Sequence, residues 1–136
     1  MHVFKQCMRA AKKALRQLGP GHSEKAYEHA IKFELYSKGI PLISQLRYNK
    51  IVAQNSVCEG IVDLEVAKCV ILELKVGGTK IEQKAMRQAN RYLLSACERY
   101  KTNDIMCAVM LFDDSGKLQV WRKHGRVARL AIEDDP

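Results

Sequence analysis

The chain has 136 residues, of which 47% are hydrophobic, and its formal net charge at neutral pH is +8. This length suits one domain, and this hydrophobic content excludes a chain that is disordered throughout. No apolar stretch approaches the ~20 residues of a membrane-spanning helix, and charges interrupt the N-terminal segment where a secretory signal would be apolar. We therefore expect a soluble intracellular protein, in cytoplasm or nucleus, whose charge favours an anionic partner such as nucleic acid or a membrane surface.

The cysteines are odd in number and form no CxxC pair. This pattern indicates neither a disulfide framework nor a cysteine zinc site. We expect reduced thiols that are mostly buried as small hydrophobic side chains. They are Cys7, Cys58, Cys69, Cys97 and Cys107.

Two helices are predicted before the first strand. Residues 3–17 place apolar side chains at helical spacing, and Gly19-Pro20-Gly21 ends this helix. A second helix is expected to begin near Ser23, which is a suitable N-cap, and to end at Gly39. The second face of the first helix is basic and consists of Lys5, Arg9, Lys12 and Arg16.

Strands are predicted for the middle of the chain. Residues 42–54 indicate one strand, or a strand and the start of a hairpin. Residues 58–66 and 69–76 indicate two strands joined by a tight turn at Ala67 and Lys68. The second of these two strands is almost continuously apolar, which is typical of a central strand covered on both faces.

A long helix and a hairpin complete the predicted fold. The helix covers residues 79–100, a buried strand covers 105–112, a turn covers 113–116 and a hairpin partner covers 117–122. From Lys123 onward the pattern is ambiguous. This order of elements predicts an α/β fold with a mixed sheet flanked by helices. We expect a single domain, with a basic helix over residues 1–18, a core over 19–122 and a tail over 123–136.

Charged residues interrupt the two most apolar strands: Asp63 in the first, Glu73 and Lys75 in the second. Alternation along a strand puts Glu73 and Lys75 on the same face. A two-residue turn would pair Asp63 with Leu72, away from Glu73, whereas a three-residue turn centred on Lys68 would pair Asp63 with Glu73. The spacing leaves both registers open. We favour the second because it gathers the charges on one face.

Two close carboxylates repel each other unless a cation is present. A divalent ion such as Mg²⁺ takes oxygen ligands and can polarise a phosphate and activate water, while a lysine offsets developing negative charge. Asp63, Glu73 and Lys75 therefore indicate phosphodiester cleavage; the alternative is an ion pair on an exposed strand face. Glu65 lies two residues from Asp63 and either shares its face or is solvated.

Four motifs, taken together, resemble a known family. They run between about Leu18 and Leu111, and their order and spacing are similar to those of the GxxExxY proteins, a branch of the PD-(D/E)XK nuclease superfamily. The motifs are Gly21-His22-Ser23-Glu24-Lys25-Ala26-Tyr27, Gly60-Ile61-Val62-Asp63, Glu73-Leu74-Lys75 and Gln88-Ala89-Asn90-Arg91-Tyr92.

The resemblance implies a restriction-endonuclease-like αβββαβ core, with an extra N-terminal helix in this chain, and metal-dependent phosphodiester chemistry. It implies that Glu24, Asp63 and Glu73 bind Mg²⁺ or Mn²⁺, and that Lys75 and Gln88 complete the catalytic set. It also favours the register that places Asp63 beside Glu73. The segment EGIVD lacks the basic residue that many members carry near the aspartate, which affects substrate contacts more than chemistry.

Lysines and arginines provide candidate phosphate contacts, although such runs are often solvated helix faces. We expect a deoxyribonuclease of DNA repair or recombination, with RNA as a further candidate substrate and a homodimer as a suitable assembly. The alternatives are a catalytically silent nuclease-like fold that binds nucleic acid as an accessory protein, and a basic protein–protein adaptor. The candidate contacts are Lys5, Arg9, Lys12, Arg16, Lys84, Arg87 and Arg91, with Lys80, Arg122, Lys123, Arg126 and Arg129 as further cations.

Overall fold

The computed structural model describes residues 2–126, except for the side chains at positions 50, 51 and 59. Arg129 and residues 127–136 of the expected tail lie outside the described residues. The elements are α1 (His2–Leu18), α2 (Glu24–Ser37), β1 (Leu42–Val52), β2 (Asn55–Val66), β3 (Val70–Val76), α3 (Gln83–Tyr100), β4 (Met106–Phe112) and β5 (Leu118–His124).

The strands form one mixed sheet in the order β1-β2-β3-β4-β5. The central pair β3 and β4 is parallel, and α3 provides the crossover between them, whereas the other neighbouring pairs are antiparallel. The stretch from α2 to β4 therefore has the order αβββαβ, and α1 is the additional helix. The predicted α/β class, mixed sheet and restriction-endonuclease-like core are confirmed.

The two cores lie on opposite faces of the sheet. Alternation along β3 places Leu72 and Leu74 in the core under α1 and α2, and Ile71 in the core under α3. Every residue of β4 is buried, as expected for a strand covered on both faces. Each such large apolar side chain stabilises the fold by about 1.5–3 kcal/mol, so β3 and β4 are firmly fixed. Glu73, in phase with Ile71, is held by this rigid strand.

Local signals set the helix boundaries at the N-terminal end. The hydroxyl of Ser23 accepts a hydrogen bond from the backbone N–H of Ala26 at 3.2 Å, which makes it the predicted N-cap of α2. Tyr27 donates its hydroxyl to the carbonyl of Gly19 at 2.5 Å and fixes the α1–α2 connection. Among the helices that the structure describes, none combines the length and the apolar character that crossing a membrane requires.

The long helix begins at Gln83, later than the predicted residue 79. Backbone bonds hold the segment after β3 away from helical geometry: Gly77 N–H donates to the Phe112 carbonyl, and Asp114 N–H donates to the Gly78 carbonyl, both at 3.0 Å. This tertiary pairing overrides the local helical pattern. At the other end of the sheet, β2 begins at Asn55 because the hairpin alternative for residues 42–54 is the correct one.

All five cysteines are free thiols in the described structure. Cys7, Cys97 and Cys107 are buried, which matches the expectation that most act as small hydrophobic side chains. Burial raises the pKa of the Cys7 and Cys107 thiols to about 12, so these two thiols are inert at neutral pH.

Candidate active site

The turn between β2 and β3 decides where Asp63 lies. The observed register of β2 and β3, extended by one residue, places Asp63 opposite Glu73, as the three-residue turn centred on Lys68 requires. Ala67 and Lys68 adopt left-handed backbone angles, with φ of 52° and 55°. The register that would pair Asp63 with Leu72 is wrong. The observed pairs are Leu64 with Leu72, Glu65 with Ile71 and Val66 with Val70.

Beyond the pair of Leu64 with Leu72, side chains replace the backbone ladder between β2 and β3. The backbone N–H of Asp63 donates to Oε1 of Glu73 at 3.2 Å, and the backbone N–H of Leu74 donates to Oδ2 of Asp63 at 2.7 Å. Each acid thus satisfies a donor of the neighbouring strand, which fixes both carboxyls between the strands. These two bonds leave the second oxygen of each carboxyl for other partners.

The positive charge near the carboxyls of Asp63 and Glu73 does not balance their negative charge. Glu73 is only 4% exposed. Burial and the neighbouring Asp63 raise the pKa of Glu73 to about 8, against the opposing effects of the Asp63 N–H and Lys75. Burial also raises the pKa of Asp63, although the Leu74 N–H, Lys75 and Gln45 act in the opposite direction. One lysine therefore does not compensate a buried and a half-buried carboxyl, and a further cation would be favourable.

Glu24 faces this pair from the first turn of α2. The residue is largely exposed, but partial desolvation raises the pKa of its carboxyl, Lys75 lowers it, and Asp63 and Glu28 raise it. Glu24 is therefore within electrostatic range of Asp63 and Lys75. Among the side chains that the structure describes, however, no group of three or more from His, Cys, Asp or Glu is arranged to hold a metal ion. The structure unites Asp63 and Glu73 and leaves Glu24 nearby but separate.

Gln88 approaches the site through Tyr92, one turn further along α3. Its amide nitrogen donates to the Tyr92 hydroxyl at 2.8 Å, and that hydroxyl lies 3.5 Å from the carbonyl of Ile61 on β2. Burial first, and then the charge of Glu73, raise the pKa of Tyr92. Tyr92 packs so tightly on Gly60 that a Cβ there would overlap the hydroxyl and lie 3.0 Å from the ring carbon Cζ. Gln88 and Tyr92 therefore link α3 to the part of β2 that precedes Asp63.

The sequence analysis did not identify two residues of the candidate site, Glu28 and Gln45. Glu28 is 5% exposed and accepts a bond from the Gln45 side-chain nitrogen at 2.8 Å. The Gln45 side chain also lies close enough to the Asp63 carboxyl to lower its pKa, so one amide connects the two acids. The spacing of Glu24 and Glu28, four residues apart on one helix, is a signal that could have identified Glu28. Gln45 gives no such signal because it meets Asp63 only through the pairing of β1 with β2.

The cations proposed to contact phosphates are exposed on two helices. Lys84, Arg87 and Arg91 lie on α3, and the others lie on α1. Near the C-terminal end of the described chain, Lys123 donates to the side-chain oxygen of Asn90, and Arg126 lies 3.5 Å from Glu98. These contacts engage Lys123 and Arg126 within the protein. The exposed cations of α1 are Lys5, Arg9, Lys12 and Arg16.

Together these features define an α/β domain in which an aspartate and a Glu-x-Lys pair meet where β2 and β3 separate. A family model described as the PD-(D/E)XK nuclease superfamily matches residues 1–110. The chain belongs to this superfamily, and the match supports a nuclease-type function with nucleic acid as substrate. Superfamily members generally use divalent metal ions. No curated protein and no solved structure matched the chain, and assignment to the GxxExxY branch stays a prediction.

Proposed function

We propose that the chain is a Mg²⁺- or Mn²⁺-dependent nuclease that hydrolyses phosphodiester bonds in DNA. The observation that carries the proposal is the pair of hydrogen bonds between β2 and β3, from the Asp63 N–H to the Glu73 carboxyl and from the Leu74 N–H to the Asp63 carboxyl, which hold the two acids beside Lys75. A purely structural arrangement gains nothing from two partly desolvated carboxyls placed side by side, because each disfavours the ionised form of the other. Membership in the PD-(D/E)XK superfamily supports the same chemistry.

The donor chemistry fits a hard divalent cation. Asp63 and Glu73 each offer a carboxylate oxygen beyond the one that bonds to the backbone, and Mg²⁺ prefers oxygen ligands and retains several waters. We propose that these two residues hold the ion and that Glu24 joins them. When bound, the ion supplies Lewis-acid polarisation of the phosphate and a water that ionises more readily.

The surrounding residues have distinct roles in this proposal. The Lys75 ammonium offsets the negative charge that develops on the phosphate oxygens. The backbone N–H of Leu74 and the amide of Gln45 orient Asp63, and the backbone N–H of Asp63 orients Glu73. Since β3 is fixed by burial on both faces, these carboxyls are held before substrate arrives.

The test is a cleavage assay on plasmid, linear duplex, single-stranded and branched DNA, with Mg²⁺ or Mn²⁺. Asp63→Ala and Lys75→Ala are expected to lower the rate by at least about a hundredfold, because each removes charge stabilisation of the transition state. Glu82→Ala is the matched control, since Glu82 begins a second Glu-x-Lys triplet but is exposed at the start of α3. Wild type that cuts no substrate, or variants that cut equally well, would contradict the proposal.

One observation favours the catalytically silent alternative: in the described part of the chain, no three potential ligand side chains form a metal site. A silent nuclease-like fold would bind nucleic acid in a salt-dependent way without cutting it, and removing divalent ions would not change its affinity. The same assays with RNA distinguish the two nucleic acids. A protein with neither nucleic-acid binding nor metal affinity by calorimetry would be the adaptor.

A further inference from the structure

A groove between α1 and β5 gathers cations from both elements. It has a volume of about 320 Å³. The guanidinium carbon of Arg122, on β5, lies 5.3 Å from the centroid of the Phe4 ring on α1. This cation–π contact holds Arg122 at the rim of the groove. The lining residues are Phe4, Lys5, Met8, Arg9, Lys12 and Arg122.

These cations have no acidic partners in the described structure. Residues 1–23 contain neither Asp nor Glu. Among the ion pairs of the described residues, the one that includes a side chain of α1 joins Lys13 to Glu34 at 2.9 Å, and Lys13 does not line the groove. Since like charges in a concave surface repel each other and focus their field, the groove favours a bound anion.

The groove is separate from the candidate active site. Arg122 pairs with Ala108, which lies in the core under α1 and α2, whereas Glu73 pairs with Val109, which lies in the core under α3. The side chains of Arg122 and Glu73 therefore point to opposite faces of the sheet. Two strand spacings, roughly 10 Å, also separate β5 from β3 within the sheet. An anion in the groove leaves the site at Asp63 and Glu73 free.

The shape of the groove suits a nucleic-acid backbone better than a lipid surface. Lys5 and Lys12 are separated by about 10 Å along α1, which matches the rise of about three nucleotides of one strand along a duplex axis, at about 3.4 Å each. Membrane-surface helices insert exposed apolar side chains between lipids. On α1 the apolar residues Phe4, Cys7 and Ala11 are buried in the core that α1 shares with α2 and the sheet, so the exposed face offers charge to a hydrated polyanion.

We propose that this α1–β5 groove binds the phosphate backbone of a nucleic-acid segment that is not the one being cut. The groove is thus a second contact surface, which holds a flanking part of the substrate. The identification of the polyanion as nucleic acid rests on the proposed function, but binding in the groove does not depend on cleavage. Arg122 completes the groove from β5, and Arg16, although exposed on α1, lies outside the lining.

The test measures the affinity of labelled duplex and single-stranded oligonucleotides by fluorescence anisotropy, in EDTA and over a series of salt concentrations. Lys5→Gln, Lys12→Gln and Arg122→Gln are each expected to weaken binding by about three- to tenfold at low salt, and to reduce the slope of log K against log salt by about 1. Lys117→Gln is the matched control, because Lys117 is an exposed cation next to β5 but outside the groove. Its affinity and slope are expected to match those of wild type.

Unchanged affinity and slope in the three groove variants would overturn the proposal, even if the wild-type protein cuts DNA. Loss of affinity in these variants without any cleavage by wild type would support the groove and refute the nuclease. A parallel experiment measures binding to vesicles that contain phosphatidylserine. Groove variants that lose vesicle binding but keep oligonucleotide binding would also overturn the proposal. Lys5 and Lys12 are exposed, so their variants remain informative if Arg122→Gln disturbs folding.

Discussion

Two buried glutamates on neighbouring strands, Glu65 and Glu73, are treated in opposite ways by this fold. Both face the α3 side of the sheet, and they are 2% and 4% exposed. The Glu65 carboxylate accepts hydrogen bonds from the hydroxyls of Tyr48 and Tyr100, each at 2.5 Å, and the guanidinium of Arg99 lies 4.0 Å away. For Glu73 the corresponding donor is one backbone N–H, that of Asp63, at 3.2 Å.

The difference gives a criterion that separates structural acids from candidate functional ones. A carboxylate that only stabilises the fold is surrounded by donors, as Glu65 is, because burying an unpaired charge is costly. Glu73 instead lies beside a second acid, which is typical of a site that is completed by a ligand. The structure also answers the open question about Glu65: it shares the face of the acid pair and is buried.

The largest expected effect contrasts the two glutamates directly. Glu65→Ala should lower the free energy of unfolding by about 3 kcal/mol, because two tyrosine hydroxyls and an arginine lose their acceptor. Glu73→Gln should leave stability unchanged or raise it, since the amide keeps an acceptor for the Asp63 N–H and removes an ionisable group from a buried position. Urea denaturation in EDTA measures both. The opposite order of stabilities would contradict the comparison.

The second effect concerns the packing that supports the acid pair. Gly60→Ala should destabilise the protein by about 2 kcal/mol, because the added methyl group overlaps the Tyr92 hydroxyl. Adding Tyr92→Phe should restore part of this loss. Gly21→Ala is the matched control: Gly21 also has a positive φ, of 86°, but a Cβ there meets nothing within 4 Å. Thermal unfolding compares wild type, the two single glycine variants and the double variant. Equal losses of stability at Gly60 and Gly21 would refute the close contact between Gly60 and Tyr92.

A smaller effect is expected at Gln45, which connects Asp63 to Glu28. Gln45→Ala should lower the rate of DNA cleavage by about tenfold, because Asp63 loses a donor that orients it. Gln54→Ala is the control, since Gln54 is also an exposed residue with a left-handed backbone, with φ of 67° against 54° for Gln45, but lies in the β1–β2 turn. The experiment compares initial rates at saturating substrate. A Gln45→Ala variant as active as Gln54→Ala would remove Gln45 from the site.

The smallest effect is at Asp113, an acid that resembles Glu65 in being fully supplied with donors. Its carboxylate accepts bonds from the Gln119 side chain at 2.8 Å, the Lys117 N–H at 2.9 Å and the Ser115 hydroxyl at 2.7 Å. These bonds lower the pKa of Asp113 to about 2 from 3.8. The stabilisation is therefore present above about pH 4 and is lost as the pH falls to about 2.

Asp113→Asn should accordingly lower the melting temperature at neutral pH, and the difference from wild type should shrink towards pH 2. Asp114→Asn, at the exposed neighbouring position, should behave like wild type throughout. Melting curves over a pH series provide the measurement. A difference that stays constant with pH would show that the carboxylate is not the stabilising group.

Sequence patterns predicted the elements well where periodicity reflects burial. The apolar run of β3 and the turn residues after α1 carry local information, so their positions follow from spacing alone. The start of α3 does not, because backbone bonds of residues 77 and 78 to Phe112 and Asp114, and a bond from the Gln119 side chain to the Thr79 carbonyl, hold the segment before Gln83 outside the helix. The β2–β3 register was equally undetermined by spacing, since Ala67 and Lys68 adopt left-handed angles without a glycine to signal them.

The candidate site was predictable only in part for the same reason. Asp63, Glu73 and Lys75 are conspicuous as charges within apolar strands, so residue type alone identified them. Gln45 becomes part of the site through strand pairing, and Arg122 reaches the groove by contact with Phe4, far away in the chain. Contacts between segments that are far apart in the chain produce no periodic pattern in the sequence.

The central claim is that Asp63 and Glu73 form a cation site, whereas Glu65 is satisfied by the protein. The most direct measurement is anomalous scattering from a crystal soaked in Mn²⁺. We predict a peak between the carboxyls of Asp63 and Glu73 and no peak at Glu65. A fully soaked crystal with no ion at Asp63 and Glu73, or with manganese bound only elsewhere, would contradict the claim.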